Sequence, residues 1–137
     1  LIDVNTGIDY VLKDSLAPLM SVRINNQIIH PKSATAKDGI IRLDFENDVL
    51  ATVKVEEKET HFTFELLSLT NKNTVELIVW GPYPTSIQKT ISETVGVVRN
   101  DEFAIGIQAL NIKTLRGYPW NESDRKQRGV QLVQCGH

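Results

Sequence analysis

The sequence predicts an all-β fold, an antiparallel two-sheet β-sandwich of about nine or ten strands. Three observations predict it. Apolar and polar residues alternate in several runs, turn-forming residues separate those runs, and no segment keeps a sustained helical period. The chain has 137 residues. This is an ordinary length for one domain, so residues 1–137 are predicted to form a single β-sandwich domain.

The strand predictions rest on the spacing of apolar residues. Residues 49–56 carry valine or alanine at every odd position, which is typical of a half-buried antiparallel strand. Residues 61–66 alternate in the same way, which predicts a second apolar face turned toward the core. That face consists of Phe62, Phe64 and Leu66. Val75–Trp80 is mostly apolar at every position, which favours a strand covered on both sides.

Four short segments between these runs have the residues of tight turns. Asn and Asp tolerate the left-handed backbone that such turns require, and Asp-Gly is a strong hairpin signal. Each segment is predicted to close a hairpin between its flanking strands. The four are Asn25-Asn26, Asp38-Gly39, Asn71-Lys72-Asn73 and Asn100-Asp101.

The last third of the chain is less regular. Ser86–Glu93 follows two prolines and contains β-branched residues, so we interpret it as a loop or a short strand. Asn111–Arg128 is polar and has no period, and it is predicted to be the longest irregular segment. Val130–Val133 returns to strand character.

Composition and motifs argue against several classes of function. A formal net charge of −2 argues against a nucleic-acid partner, and no apolar run is long enough for a membrane span. One cysteine rules out an internal disulfide and a Cys-x-x-Cys motif. The sequence contains no nucleophile elbow, phosphate-binding loop, dinucleotide fingerprint or zinc-protease motif. It therefore predicts no catalytic residues, no metal ligands and no cofactor.

Aromatic residues supply the candidate binding residues. Trp80 ends a strand and Tyr83 follows it on a Gly-Pro segment, while Tyr118 and Trp120 lie in the long polar segment. Aromatic rings at the rim of a sandwich can stack on the apolar faces of sugars. Each ring has the alternative of packing in the core or capping the end of the sandwich. Arg99 and Gln108, whose side chains could hydrogen-bond sugar hydroxyls, complete the set of carbohydrate-contact candidates.

The central part of the chain resembles a known class of domain. Its strand and turn residues are similar to the N-terminal β-sandwich of large secreted carbohydrate-active enzymes from gut Bacteroidetes. They also resemble the galactose-mutarotase-like supersandwich that precedes the catalytic barrel in several glycoside hydrolase families. The resemblance covers about a third of the chain. It is carried by Leu67-Ser68-Leu69-Thr70-Asn71-Lys72, Ile78-Val79-Trp80-Gly81-Pro82-Tyr83, Glu93-Thr94-Val95-Gly96-Val97-Val98-Arg99 and Phe103-Ala104-Ile105-Gly106-Ile107-Gln108.

This resemblance implies a non-catalytic accessory module of a glycoside hydrolase, exported to the periplasm or cell surface. Its partner would be the catalytic domain of the same polypeptide. The chain begins at Leu1 without a Met, which predicts either a processed product or a fragment of a longer protein, and the resemblance favours the fragment. Two alternatives remain open. One is a carbohydrate-binding module with an oligosaccharide as partner, and the other is a mutarotase-like enzyme domain. For the enzyme, no His–Glu pair maps onto His30 or His61.

Overall fold

The structure is a computed structural model, and it describes residues 2–87, 89–91, 96–116 and 130–135. Within these residues the regular elements are twelve strands and one turn of 3₁₀ helix at Lys72–Thr74, with no α-helix. The prediction of an all-β, antiparallel, sandwich-like fold is confirmed. The strands are β1 Met20–Ile24, β2 Gln27–Ile29, β3 Ser33–Lys37, β4 Ile40–Asp44, β5 Leu50–Glu57, β6 Phe62–Leu69, β7 Leu77–Tyr83, β8 Thr90–Ile91, β9 Val97–Arg99, β10 Ala104–Gly106, β11 Thr114–Arg116 and β12 Val130–Cys135.

The chain forms two compact units. One is built on Val22–Glu76, and the other combines the segment up to Ser21 with Leu77–Cys135. The first unit contains Val22–Ile24 of β1 paired with β2, and a four-stranded antiparallel sheet in the order β3-β4-β5-β6. The second contains β7 paired with β12, β12 paired with β11, and a separate sheet in the order β10-β9-β8.

The four-stranded sheet has one apolar and one polar face because its strands are in register. Ala34, Leu43 and Ala51 are cross-strand partners on the apolar face, and Thr35, Arg42 and Thr52 are partners on the polar face. Leu43, Ala51 and Val53 are almost fully buried, as the alternation in residues 49–56 predicts. The pairing of β5 with β6 shifts between Thr52 and Val53, which leaves Leu67 as an extra residue in β6.

Two-residue turns join the first strands of this unit as predicted. Asn25 and Asn26 have φ of 49° and 60°, and they connect Ile24 to its partner Gln27. Asp38 and Gly39 have φ of 51° and 74°, and they connect Lys37 to Ile40. Positive φ at both central positions matches the twist of antiparallel hairpins.

The hairpin predicted at Asn71-Lys72-Asn73 is wrong. The turn is present, with Asn71 at φ 46°, but β6 pairs with β5, whereas β7 pairs with β12. Asn71 instead closes back on the loop that joins β4 and β5, where its side-chain amide donates to the carbonyls of Asn47 and Asp48. The residues of a turn determine the reversal, but the strand pairing depends on distant contacts.

The second unit contains the most buried strand. Leu77 to Pro82 are all buried in β7, which confirms that Val75–Trp80 includes a strand covered on both faces. A small core in the same unit contains Tyr10, Ile87 and Val98. Phe103 packs against it, and its ring is stacked on that of Tyr10 at 5.3 Å between centroids.

The remaining predictions in this unit have mixed outcomes. Asn100-Asp101 lies in the β9–β10 hairpin as predicted, and Asn100 N–H donates to the Phe103 carbonyl. Thr90–Ile91 forms a short strand within the segment predicted as a loop or strand, and Val130–Cys135 confirms the last strand. The irregular segment was predicted to include Thr114–Arg116, which instead forms β11 on β12. Three residues are too few to show a period, so only their partner reveals the strand.

Candidate functional site

Trp80, the first candidate for sugar contact, is an interior residue. It lies in the middle of β7, and only 8% of it is exposed. A stacking platform must present a ring face to solvent, so the position of Trp80 favours the alternative that it belongs to the core.

Tyr83 ends the same strand, and its polar end is held by the main chain. Its hydroxyl donates a hydrogen bond to the carbonyl oxygen of Leu19 at 2.6 Å. The N–H of Gly81 donates to that same carbonyl at 3.1 Å. Burial raises the pKa of the Tyr83 hydroxyl well above its ordinary value. The side chain therefore fastens the segment before β1 to the end of β7.

The other candidates are separated from these two. Arg99 ends β9, pairs with Ala104 and is exposed, and Gln108 is exposed two residues after β10. Tyr118 and Trp120 lie outside the described residues. The structure thus brings Trp80 and Tyr83 together on one strand and places Arg99 and Gln108 around another sheet.

The histidines considered for an enzymatic role lie in different settings. His30 is partly buried, and burial lowers its pKa. His61 is exposed at the β5–β6 turn, with its Nδ1 at 3.3 Å from the Thr60 hydroxyl. In the described part of the chain, no group of three or more His, Cys, Asp or Glu side chains is placed to hold a metal ion.

The largest departure from the sequence prediction is an exposed apolar strip on β6. Phe62 is 59% exposed and Phe64 41% exposed, although both were predicted to face the core. The reason is that β6 is an edge strand of its sheet. We call Phe62 and Phe64 the β6 strip. The alternation identified the apolar face correctly, but the position of a strand within its sheet is not encoded in its period.

The β6 strip continues a buried surface. The cross-strand partner of Phe64 is Val55, and that of Leu66 is Val53, so these side chains share one face of the sheet. Burial falls along that face from Val53, which is fully buried, through the half-buried Val55 and Leu66, to the exposed Phe62 and Phe64. The core of this sheet thus extends to the protein surface.

The opposite face of β5 is a charged surface. The Nζ of Lys54 lies 2.6 Å from Oε1 of Glu56, and the Nζ of Lys58 lies 3.0 Å from Oε2. Hydrogen bonds from Lys54 and then from Lys58 lower the pKa of Glu56 to about 2. The two faces at this end of the sheet therefore differ sharply, one being apolar and one ionic.

One further structural finding and three comparisons with known proteins complete the description of the site. Among the described residues no helix is long and apolar enough to cross a membrane. A comparison of the chain with protein-family models, with curated proteins and with solved structures finds no match.

Proposed function

We propose that this chain is a non-catalytic β-sandwich module that packs against a catalytic domain of the same polypeptide through the β6 strip. The observation that supports this proposal is the exposure of Phe62, which lies on the same sheet face as the buried Val53. An interface that joins two domains has an apolar centre, and it becomes an exposed apolar patch when one domain is viewed alone.

The position and composition of the β6 strip favour contact with a partner domain over exposure to solvent. Two phenylalanines on one face of an edge strand offer a large apolar area at little cost in side-chain entropy. Glu57 is the cross-strand partner of Phe62 and supplies a polar rim beside it. An apolar centre with charged residues at its edge is the usual composition of a protein interface.

The resemblance of residues 67–108 to accessory sandwiches of glycoside hydrolases supports a carbohydrate-processing parent enzyme. On this proposal the parent protein is exported to the periplasm or cell surface, like the large carbohydrate-active enzymes of gut Bacteroidetes. Catalysis is performed by the partner domain, and the module positions that domain. Contact with an oligosaccharide would then be secondary and would involve Arg99, Gln108 or the aromatic residues that follow them.

The proposal is tested in the longer polypeptide encoded by the complete reading frame. Phe62→Ser should lower the melting temperature of the catalytic domain or separate its unfolding from that of the module. In the isolated chain the same substitution should change stability by no more than about 0.5 kcal/mol, since the side chain is largely exposed.

Leu50→Ser is the matched control. Leu50 is 49% exposed in the same sheet. It precedes the buried Ala51 in β5, so its side chain lies on the face opposite to that of Ala51 and Phe62. The control should leave the catalytic domain unchanged. Equal effects of the two substitutions would contradict the proposal, as would a reading frame without a second domain.

A further inference from the structure

The other edge of the four-stranded sheet is unusually open. All five residues of β3, Ser33–Lys37, are exposed, and β3 pairs only with β4 among the described strands. Their pairing has no register shift. Edge strands are usually protected by proline, bulges or inward-facing charges. The β3 strand has none of these, and its one charged residue, Lys37, lies at its end.

The backbone groups that face outward from β3 can be assigned from the turn that follows it. Lys37 and Ile40 flank the two-residue Asp38-Gly39 turn and are cross-strand partners. In such a hairpin the flanking residues form a hydrogen-bonded pair, and every second residue along the strand repeats that pattern. Thr35 therefore bonds to β4, whereas the N–H and C=O groups of Ala34 and Ala36 point away from the sheet.

We propose that β3 pairs antiparallel with β3 of a second copy of this chain, about a two-fold axis that passes between the two Thr35 residues. In this register Ala34 of one copy lies opposite Ala36 of the other, and each alanine exchanges both of its outward backbone hydrogen bonds with its counterpart. Shifting the strands by two residues would leave one alanine opposite Asp38 in the turn or opposite Lys32, whose N–H already donates to the Asp44 carbonyl. The register centred on Thr35 is thus the one in which Ala34 and Ala36 both form backbone hydrogen bonds between the copies.

The side chains also suit self-pairing in this register. Lys37 of one copy faces Ser33 of the other, so no like charges are directly opposed. The alanines on the apolar face are small, and the two threonines meet across the axis as a favourable β-branched pair. The association extends the sheet of each copy into one continuous sheet.

The pairing is expected to be weak. A contact of five residues per copy buries less than the roughly 1,200 Å² of stable complexes, so dimers should form at concentrations of about 0.1–1 mM. Sedimentation velocity on the isolated chain should show the dimer fraction rising over this range. A sharp monomer boundary at the highest concentration would overturn the proposal.

Charge substitution at the axis tests the register. In the dimer, Thr35→Lys and Thr35→Glu each place like charges opposite one another across the axis, so each variant should dimerise at least about fivefold more weakly. Residue 35 also lies opposite Arg42 within its own chain, so the stability of each monomer is measured alongside. An equimolar mixture of the two should recover association, because Lys then faces Glu. Ser68→Lys, on the other edge strand, should leave dimerisation unchanged. Failure of the mixture to recover, or an effect of Ser68→Lys as large as that of Thr35→Lys, would overturn the proposal.

Amide NMR of the unsubstituted chain tests the same contact without mutation. The amide signals of Ala34 and Ala36 should shift with protein concentration and gain protection from solvent exchange. Those of Phe62 and Ser68 should not. Shifts confined to β6 would place the association at the other edge and overturn the proposal.

Discussion

Tyr83 and Leu19 are joined by a hydrogen bond of 2.6 Å from the phenolic hydroxyl to the main-chain carbonyl. Gly81 donates to the same carbonyl, so one oxygen accepts from two residues at the end of β7. The described part of the segment before β1 contains no strand, and its other contacts include a hydrogen bond from Ser86 N–H to the Tyr10 carbonyl and the isolated bridge between Val11 and Thr85. The two bonds to Leu19 hold the last part of this segment, next to β1, against the end of β7.

Replacing Tyr83 with phenylalanine removes the hydroxyl and keeps the ring. We expect Tyr83→Phe to lower the free energy of unfolding by about 1 kcal/mol, since Gly81 still satisfies the Leu19 carbonyl. Urea unfolding followed by circular dichroism measures this change. A loss above about 3 kcal/mol would show that the hydroxyl has a role beyond this hydrogen bond.

The raised pKa of Tyr83 also predicts a dependence on alkaline pH. The folded protein holds this proton more tightly than the unfolded chain, whose tyrosine has a pKa near 10.0. The stability conferred by that difference is fully present below pH 10.0 and is lost as the pH rises above it. Wild type should therefore lose stability between pH 10 and 11.5 more steeply than Tyr83→Phe. Parallel curves for the two proteins would contradict the assignment.

Trp80 provides a test of the core. Because its side chain is buried in β7, Trp80→Ala should destabilise the fold by about 3–5 kcal/mol. The variant is compared with wild type by chemical denaturation. A loss below 1 kcal/mol would indicate that the ring is not packed and would restore it as a candidate for sugar contact.

Trp120 distinguishes the packing module from the carbohydrate-binding alternative. We expect no change in tryptophan fluorescence when millimolar oligosaccharides are added to the isolated chain. Saturable quenching that disappears in Trp120→Ala, with the melting temperature unchanged, would favour the binding module instead. Trp80→Phe is the control for fluorescence from the buried ring.

The Glu56 ion pairs predict a dependence on acid and salt. The folded pKa of about 2 lies below the ordinary value of 4.5, so the stability gained is present above pH 4.5 and is lost as the pH falls toward 2. The difference in stability between wild type and Glu56→Gln should thus be constant near neutral pH and shrink below pH 4.5. Carboxyl NMR should give a Glu56 midpoint near 2 that rises in 0.5 M salt. A midpoint near 4.5 at low salt would contradict the lysine contacts.

Local features of the fold were predictable from the sequence. The alternation in residues 49–56 identified the buried face of β5, and the turn at Asp38-Gly39 identified the β3–β4 hairpin, because both features depend on neighbouring residues. The partner of β7 was not predictable, since the turn at Asn71 reverses the chain without choosing a sheet. The three residues of β11 became recognisable only from their pairing with β12.

The residues of the candidate site were likewise predictable in their local features but not in their long-range surroundings. For Trp80 the sequence favoured a core position and left the surface position open, and its burial depends on β12, far away along the chain. Phe62 had the spacing of a core residue, and its exposure follows from the place of β6 at the edge of the sheet. Sequence periodicity identifies the face on which a side chain lies, but not what covers that face.

The most direct test of the proposed packing is hydroxyl-radical labelling of Phe62 in two contexts. Its rate of modification in the isolated chain should be high, because 59% of the residue is exposed. In the complete polypeptide we predict at least roughly fivefold protection of Phe62, as expected for a residue at the centre of an interface, while Leu50 keeps its rate. Equal modification of Phe62 in both contexts would contradict the account.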